Sequence, residues 1–188
     1  MNQHSKSRLI FVSGGSRSGK SHYAEMRAAK LPGQRTYIAT CPIIDDEMGQ
    51  RIAKHRQERS GQGWMTVEEP VELIQALRNC HESSVVLVDC LTLWINNLLY
   101  HAESRQETVC EEDVADLCLQ VAEASRQEER TVIFVTNELG MGLVPADKTS
   151  RLYRDLVGRC NQTLAALSDE VVFVVSGYPL TLKEGTIL

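Results

Sequence analysis

Five short runs of apolar residues, mostly β-branched or aromatic, are each followed by a longer stretch of mixed polarity, and this alternation limits the architectures open to the chain. The runs are LIFVS (9–13), TYIAT (36–40), VVLVD (85–89), TVIFVT (131–136) and VVFVVS (171–176). Apolar residues continue through each run without the alternation of a half-exposed strand, as expected when helices cover both faces of a parallel sheet. The intervening stretches read as helices near 19–30, 45–59, 70–80, 91–101, 108–128 and 148–168. Strand alternating with helix predicts an α/β protein with a mostly parallel sheet and helices on both faces. Ligands of such sheets gather at the carboxyl ends of the strands.

The 188 residues are about one domain's worth of chain. A single catalytic domain over 8–188 is expected, preceded by a flexible tail at 1–7. A net charge of −5 provides no general field for nucleic acid or an acidic membrane, so an anionic ligand has to be held locally. The six cysteines form no CxxC pair, which signals neither a zinc site nor a redox dithiol. The opening MNQHSKSRL has no apolar core of a signal peptide, and no apolar run approaches the roughly 20 residues needed to span a bilayer. A soluble, cytoplasmic protein is expected.

Immediately after LIFVS comes GGSRSGKS, in which Gly14, Gly19, Lys20 and Ser21 satisfy GxxxxGK[ST]. The pattern lies between a predicted strand and a predicted helix, the context its chemistry requires. Glycines let the backbone wrap a phosphate, so that successive N–H groups and the helix N-terminus point at the anion. Lys20 supplies a positive charge for the β and γ phosphates, and the Ser21 hydroxyl is a ligand for Mg²⁺. A glycine-rich turn with a surface lysine is the plainer alternative, and it leaves the combination unexplained.

A bound triphosphate also needs a carboxylate to position magnesium, and VVLVD ends a buried strand on Asp89. Asp89 could instead cap the helix that follows. Mg²⁺ held by Ser21 and Asp89 is the expected cofactor.

In DDEMGQRIAKHRQERSGQGW, Asp45 to Glu47 would occupy the first turn of a helix, where negative charge is favoured. Arg51, His55 and Arg59 are spaced by four and line one face, with Arg56 adjacent. Like charges at this spacing repel, and an anion on that face would relieve them. His55 also follows Met48 and Ile52 at helical spacing, so a histidine at the edge of the core with solvated arginines is the competing account. NELGMGLVP (137–145) follows a strand end and reads as either a substrate loop or a conformational one. Arg151, Arg154 and Arg159 read as a solvated helix face, and SGYPL as a turn ending the last strand.

Taken together, GGSRSGKS, YIATCPIIDDEMGQRIAKHRQER, the W-x-T-V-E-E-P segment, TNELGMGLVP and RDLVGRCNQTLA resemble the bifunctional adenosylcobinamide kinase/adenosylcobinamide-phosphate guanylyltransferase family of cobalamin biosynthesis. The resemblance runs from about Arg8 to Lys183. It implies a P-loop fold of RecA type, assembled as a homotrimer, with a corrinoid, ATP and GTP as substrates. The first reaction it implies phosphorylates adenosylcobinamide; the second transfers GMP from GTP to the new phosphate.

In that family GMP passes through a histidine phosphoramidate, and the matching residue is His55. The resemblance places nucleotide contacts on Gly14, Gly15, Ser16, Arg17, Ser18, Gly19, Lys20 and Ser21, and on Thr40, Cys41 and Pro42. It adds Arg56, Gln57, Glu58, Arg59, Glu68 and Asp89. Two departures stand out: Ser60 lies where many members have proline, and Asp89 where some have glutamate. The rival readings are a P-loop kinase of another small metabolite and a GTP-binding switch or assembly ATPase subunit.

Overall fold

The computed structural model describes residues 7–41, 61, 63–127 and 129–184. Of the tail expected at 1–7, only Ser7 is among them, and the helix expected at 45–59 lies outside them.

Among the described residues seven strands form one sheet: β1 (Arg8–Gly14), β2 (Arg35–Ala39), β3 (Trp64–Glu68), β4 (Val85–Asp89), β5 (Thr131–Asn137), β6 (Glu170–Val175) and β7 (Tyr178–Lys183). Their order is β3-β2-β4-β5-β1-β6-β7, parallel except for the antiparallel β6/β7 pair. Strand β5 therefore lies between β1 and β4. The helices are α1 (Lys20–Ala29), α2 (Leu73–Asn79), α3 (Leu91–Ser104), α4 (Glu111–Arg126) and α5 (Lys148–Leu167).

The continuous apolar runs are explained by two cores, one on each face. Leu9, Phe11, Val86, Val88, Val132 and Phe134 pack with α2 to α5, whereas Ile10, Val12, Val85, Leu87, Ile133 and Val135 pack against Ala24 and Ala28 of α1. Successive strand side chains point to opposite faces, so both sets must be apolar. Burying one such side chain contributes roughly 1.5–3 kcal/mol, so both faces of these strands stabilise the sheet.

The five predicted strands appear within a residue or two of their expected bounds. Two more strands occur at the sheet edges. Strand β3 is half-exposed, and β7 is exposed along its whole length. Neither carries the uninterrupted apolar run of an interior strand, and β7 contains Pro179, tolerable where no neighbour needs its missing N–H. SGYPL does begin with a turn, Ser176 and Gly177 at φ 50° and 85°. Positive φ at both central residues matches a two-residue hairpin, and the chain returns along β6 instead of ending there.

No helix among the described residues is long and apolar enough to cross a membrane.

Candidate functional site

The site is built from the carboxyl ends of the parallel strands. Strand β1 delivers Gly14 to the middle of the sheet, the loop at 15–19 turns, and α1 starts at Lys20. Ser18 N–H donates to the Gly15 carbonyl (3.2 Å), and Tyr23 N–H to the Gly19 carbonyl (2.9 Å). The N–H groups of the first helical turn have no intrahelical acceptors and are left for a ligand.

Two glycines are required by the geometry. A Cβ at Gly14 would lie 2.5 Å from the Val174 carbonyl oxygen and 2.6 Å from Ser18 Oγ. Gly19 caps α1 in the left-handed region at φ 91°, where other residues are strained.

Lys20 is 8% exposed and donates from Nζ to the Gly15 carbonyl (3.3 Å), so its ammonium is folded over the loop. Ser18 is also buried, and its Oγ has no hydrogen-bond partner. A largely buried lysine and an unsatisfied hydroxyl beside the free N–H groups of the first helical turn fit an oxygen-rich anion such as a phosphate.

Asp89 ends β4, separated from β1 and its loop by β5. Its Oδ2 accepts from Tyr37 Oη (2.9 Å), and the edge of the aromatic pair Tyr37–Trp64 packs at 6.1 Å and 83°. The cap residue of α3 is Cys90, so Asp89 does not cap that helix. The other Asp89 oxygen takes no bond among the described residues. That oxygen and the Ser21 hydroxyl at the start of α1 are hard oxygen donors, a set that fits Mg²⁺.

Behind Asp89 lies a buried polar layer. Thr40, fully buried, donates from Oγ1 to the Cys90 carbonyl (2.8 Å) and accepts from Cys90 N–H (2.9 Å). Asn97 Nδ2 donates to the carbonyls of Thr40 (2.8 Å) and Pro70 (2.9 Å). Thr40 therefore supports the site from beneath, its side chain committed to Cys90. Burial pushes the Cys90 thiol up to about 11, with the Asp89 charge adding to the effect, so it is a neutral packing group and not a nucleophile.

Asn137 appears in the sequence only as the first residue of the NELGMGLVP segment, and was not expected as a site residue of its own. It ends β5 in register with Gly14, between the loop and Asp89, and its Nδ2 donates to Thr92 Oγ1 (3.3 Å) while its Oδ1 is buried without a partner. A polar residue closing an apolar run in a parallel sheet was the available signal. Tyr37 was equally visible within TYIAT, but its contact with Asp89 joins residues 52 positions apart.

Glu68 closes β3 in the same row of strand ends, aligned with Ala39, which in turn aligns with Asp89. Cys41, half-buried, lies two residues beyond the end of β2. Pro42, His55, Arg56, Gln57, Glu58 and Arg59, with Arg51, lie outside the described residues. Arg159 pairs with Glu111 of α4 (3.0 Å), and Arg151 donates to the Pro145 carbonyl (3.0 Å). These two arginines tie the chain to itself, beyond the solvated face expected of them.

The family model described as cobinamide kinase / cobinamide phosphate guanyltransferase matches residues 10–182. The chain belongs to the cobinamide kinase/cobinamide phosphate guanyltransferase family. Curated relatives agree with that membership. One is the bifunctional adenosylcobalamin biosynthesis protein CobP of Pseudomonas aeruginosa, 41% identical over 173 residues, covering 92% of this chain and 95% of that protein. Another is the bifunctional adenosylcobalamin biosynthesis protein CobU of Escherichia coli, 38% identical over 182 residues, covering 93% and 99%.

Among solved structures, a KaiC-like protein from the archaeon Pyrococcus horikoshii superposes with a TM-score of 0.54 at 12% identity, covering 96% of this chain and 81% of that one. The likeness is one of fold. This kinase/guanyltransferase family member has the α/β fold of the RecA-like P-loop proteins, as the sequence pattern and the resemblance led us to expect.

Proposed function

We propose that this protein phosphorylates adenosylcobinamide and then transfers GMP from GTP to adenosylcobinamide phosphate, giving adenosylcobinamide-GDP and pyrophosphate. The observation that carries this reading is the phosphate cradle around Lys20 and Ser18, with Asp89 two strands away in the same sheet, within a chain matched to the family over residues 10–182. In the first reaction the acceptor hydroxyl oxygen attacks the γ-phosphorus of ATP or GTP. Its bond to the β-phosphate oxygen breaks, and the hydroxyl proton leaves to solvent or a carboxylate. Lys20 and the loop N–H groups hold the charge that gathers on the phosphates. Ser21 and Asp89 would hold Mg²⁺, which supplies further neutralisation of those phosphates.

In the second reaction an imidazole nitrogen of His55 attacks the α-phosphorus of GTP and pyrophosphate departs. The phosphate of the corrinoid then attacks the same phosphorus, the P–N bond breaks, and the imidazole is regenerated. Arg51, Arg56 and Arg59, close to His55 in sequence, favour its neutral form by repulsion between like charges. Contacts to GTP are proposed for Arg56 to Arg59 and for Glu68.

One catalytic domain, acting in the cytoplasm as a homotrimer, completes the reading. Exposed apolar side chains at Met141, Leu143 and Val144, and at Tyr178 and Leu180 of β7, support burial against other copies. The test is incubation with GTP labelled on the α-phosphate, then denaturation and peptide mapping. Acid-labile GMP on His55 is expected; a protein that turns over GTP with corrinoid yet never carries label would rule the covalent route out.

A further inference from the structure

We infer that Asn137 is a further catalytic residue of the phosphorylation: its side-chain Oδ1 accepts a hydrogen bond from the acceptor alcohol and aims that oxygen at the γ-phosphorus. This rests on the kinase reading above. Asn137 closes β5, the strand between β1 and β4. It is in register with Gly14, where the phosphate loop begins, and the neighbouring Glu138 N–H donates to the Gly14 carbonyl (3.1 Å), so this strand end is fixed to the cradle. On the other side Asp89 aligns with Val135, two residues before Asn137. The amide therefore springs from the strand end that separates the cradle from the carboxylate.

The residue is held from several directions. Thr92 Oγ1 accepts from the Asn137 backbone N–H (3.2 Å) and from its Nδ2 (3.3 Å). Asn161 of α5 donates from Nδ2 to the Asn137 carbonyl (3.1 Å), and its Oδ1 accepts from Thr136 Oγ1 (2.9 Å). Tyr153 Oη donates to the Thr92 carbonyl (3.0 Å), tying α5 to the first turn of α3. Thr92, Thr136 and Asn161 are all buried. Within this network Asn137 Oδ1 is the side-chain oxygen left buried with no partner among the described residues. An apolar side chain would avoid the cost of an unpaired buried acceptor, so the arrangement is explained if a reactant brings the donor.

The chemistry narrows that reactant. An amide oxygen accepts and cannot donate, so phosphate oxygens do not suit it. The ribose hydroxyls of a triphosphate lie at the far end of its phosphate chain. The acceptor alcohol carries a donor and must lie beside the γ-phosphate to react. With its O–H turned to Oδ1, a lone pair of the alcohol oxygen faces the phosphorus. That pair forms the new O–P bond as the bond from the γ-phosphorus to the bridging oxygen breaks, leaving its electrons on the nucleoside diphosphate. The amide is too weak a base to keep the proton, which leaves to solvent or a carboxylate.

The test measures how the γ-phosphoryl group of ATP partitions between the corrinoid alcohol and water. Asn137→Ala should lower the kcat for adenosylcobinamide phosphorylation by about 10- to 100-fold, with the KM for ATP moving less than about threefold. Hydrolysis does not use the oriented alcohol, so the ratio of alcohol transfer to hydrolysis should fall by about tenfold or more. Thr92→Val keeps the shape of a buried side chain and removes the acceptor for Nδ2; the loosened amide should lower the same ratio by about threefold or more. That variant decides if Asn137→Ala does not fold. An unchanged ratio in a folded variant overturns the inference, since a residue that supports the fold or orients water on magnesium serves both routes alike. Independently of any variant, a corrinoid with hydrogen in place of the acceptor hydroxyl should bind the nucleotide-loaded protein about tenfold more weakly than adenosylcobinamide, because Oδ1 then lacks its donor. Equal binding also overturns it. If the unaltered protein transfers nothing to the alcohol, the kinase reading itself fails instead.

Discussion

Tyr37 and Asp89, on neighbouring strands β2 and β4, meet in a 2.9 Å hydrogen bond that holds one oxygen of the carboxylate and leaves the other without a partner among the described residues. The phenol is itself 7% exposed and braced by Trp64. Tyr37→Phe frees the carboxylate to rotate while preserving the packing. The kinase kcat should fall by about 3- to 30-fold with nucleotide affinity nearly unchanged, and stability should drop by about 1 kcal/mol. Steady-state kinetics beside a urea titration decides; an unchanged kcat would make Tyr37 a packing residue only.

Lys20 and His55 should separate the two reactions. Lys20→Ala is expected to lower both by about 100-fold or more, since each uses a triphosphate. His55→Ala should remove guanylyl transfer and leave phosphorylation of adenosylcobinamide within about threefold of normal. Assaying each step with its own purified corrinoid acceptor distinguishes them. Guanylyl transfer surviving in His55→Ala would contradict the covalent route.

Gly14→Ala places a methyl against the Val174 carbonyl and Ser18 Oγ, neither of which is the free end of a long side chain. A stability loss of about 1–3 kcal/mol is expected, as for other overpacked sites, together with weaker tripolyphosphate binding because the loop must move. Denaturation midpoints and calorimetric titration report the two effects separately.

Alkaline pH should destabilise the fold through Cys90. Its thiol stays protonated in the folded protein up to about 11, against 9.0 for the ordinary group. The unfolded chain gives up that proton first, so stability is intact below pH 9 and is lost as pH rises toward 11, by up to ~2–3 kcal/mol. Tyr153, pushed up to about 12 chiefly by burial, adds the same sign above pH 10. Urea midpoints for the unaltered protein and Cys90→Ala should converge between pH 9 and 11; parallel curves would show that Cys90 is not responsible.

The sequence by itself determined the interior strands, the described helices between them and the phosphate loop, because each is written locally. A strand covered on both faces must be apolar throughout, as in VVLVD, and a loop that wraps a phosphate must place glycine at positions 14 and 19. The edge strands β3 and β7 carried no such compulsion, since one side of each is left to solvent. Only the tertiary structure decided what Asp89 does: its bond to Tyr37 spans 52 residues, and its freedom from capping α3 depends on where the chain turns. Asn137 beside Gly14 is likewise a product of strand order, which brings together residues more than a hundred positions apart. Such pairings depend on which strand lies beside which, and no local pattern in the chain encodes that.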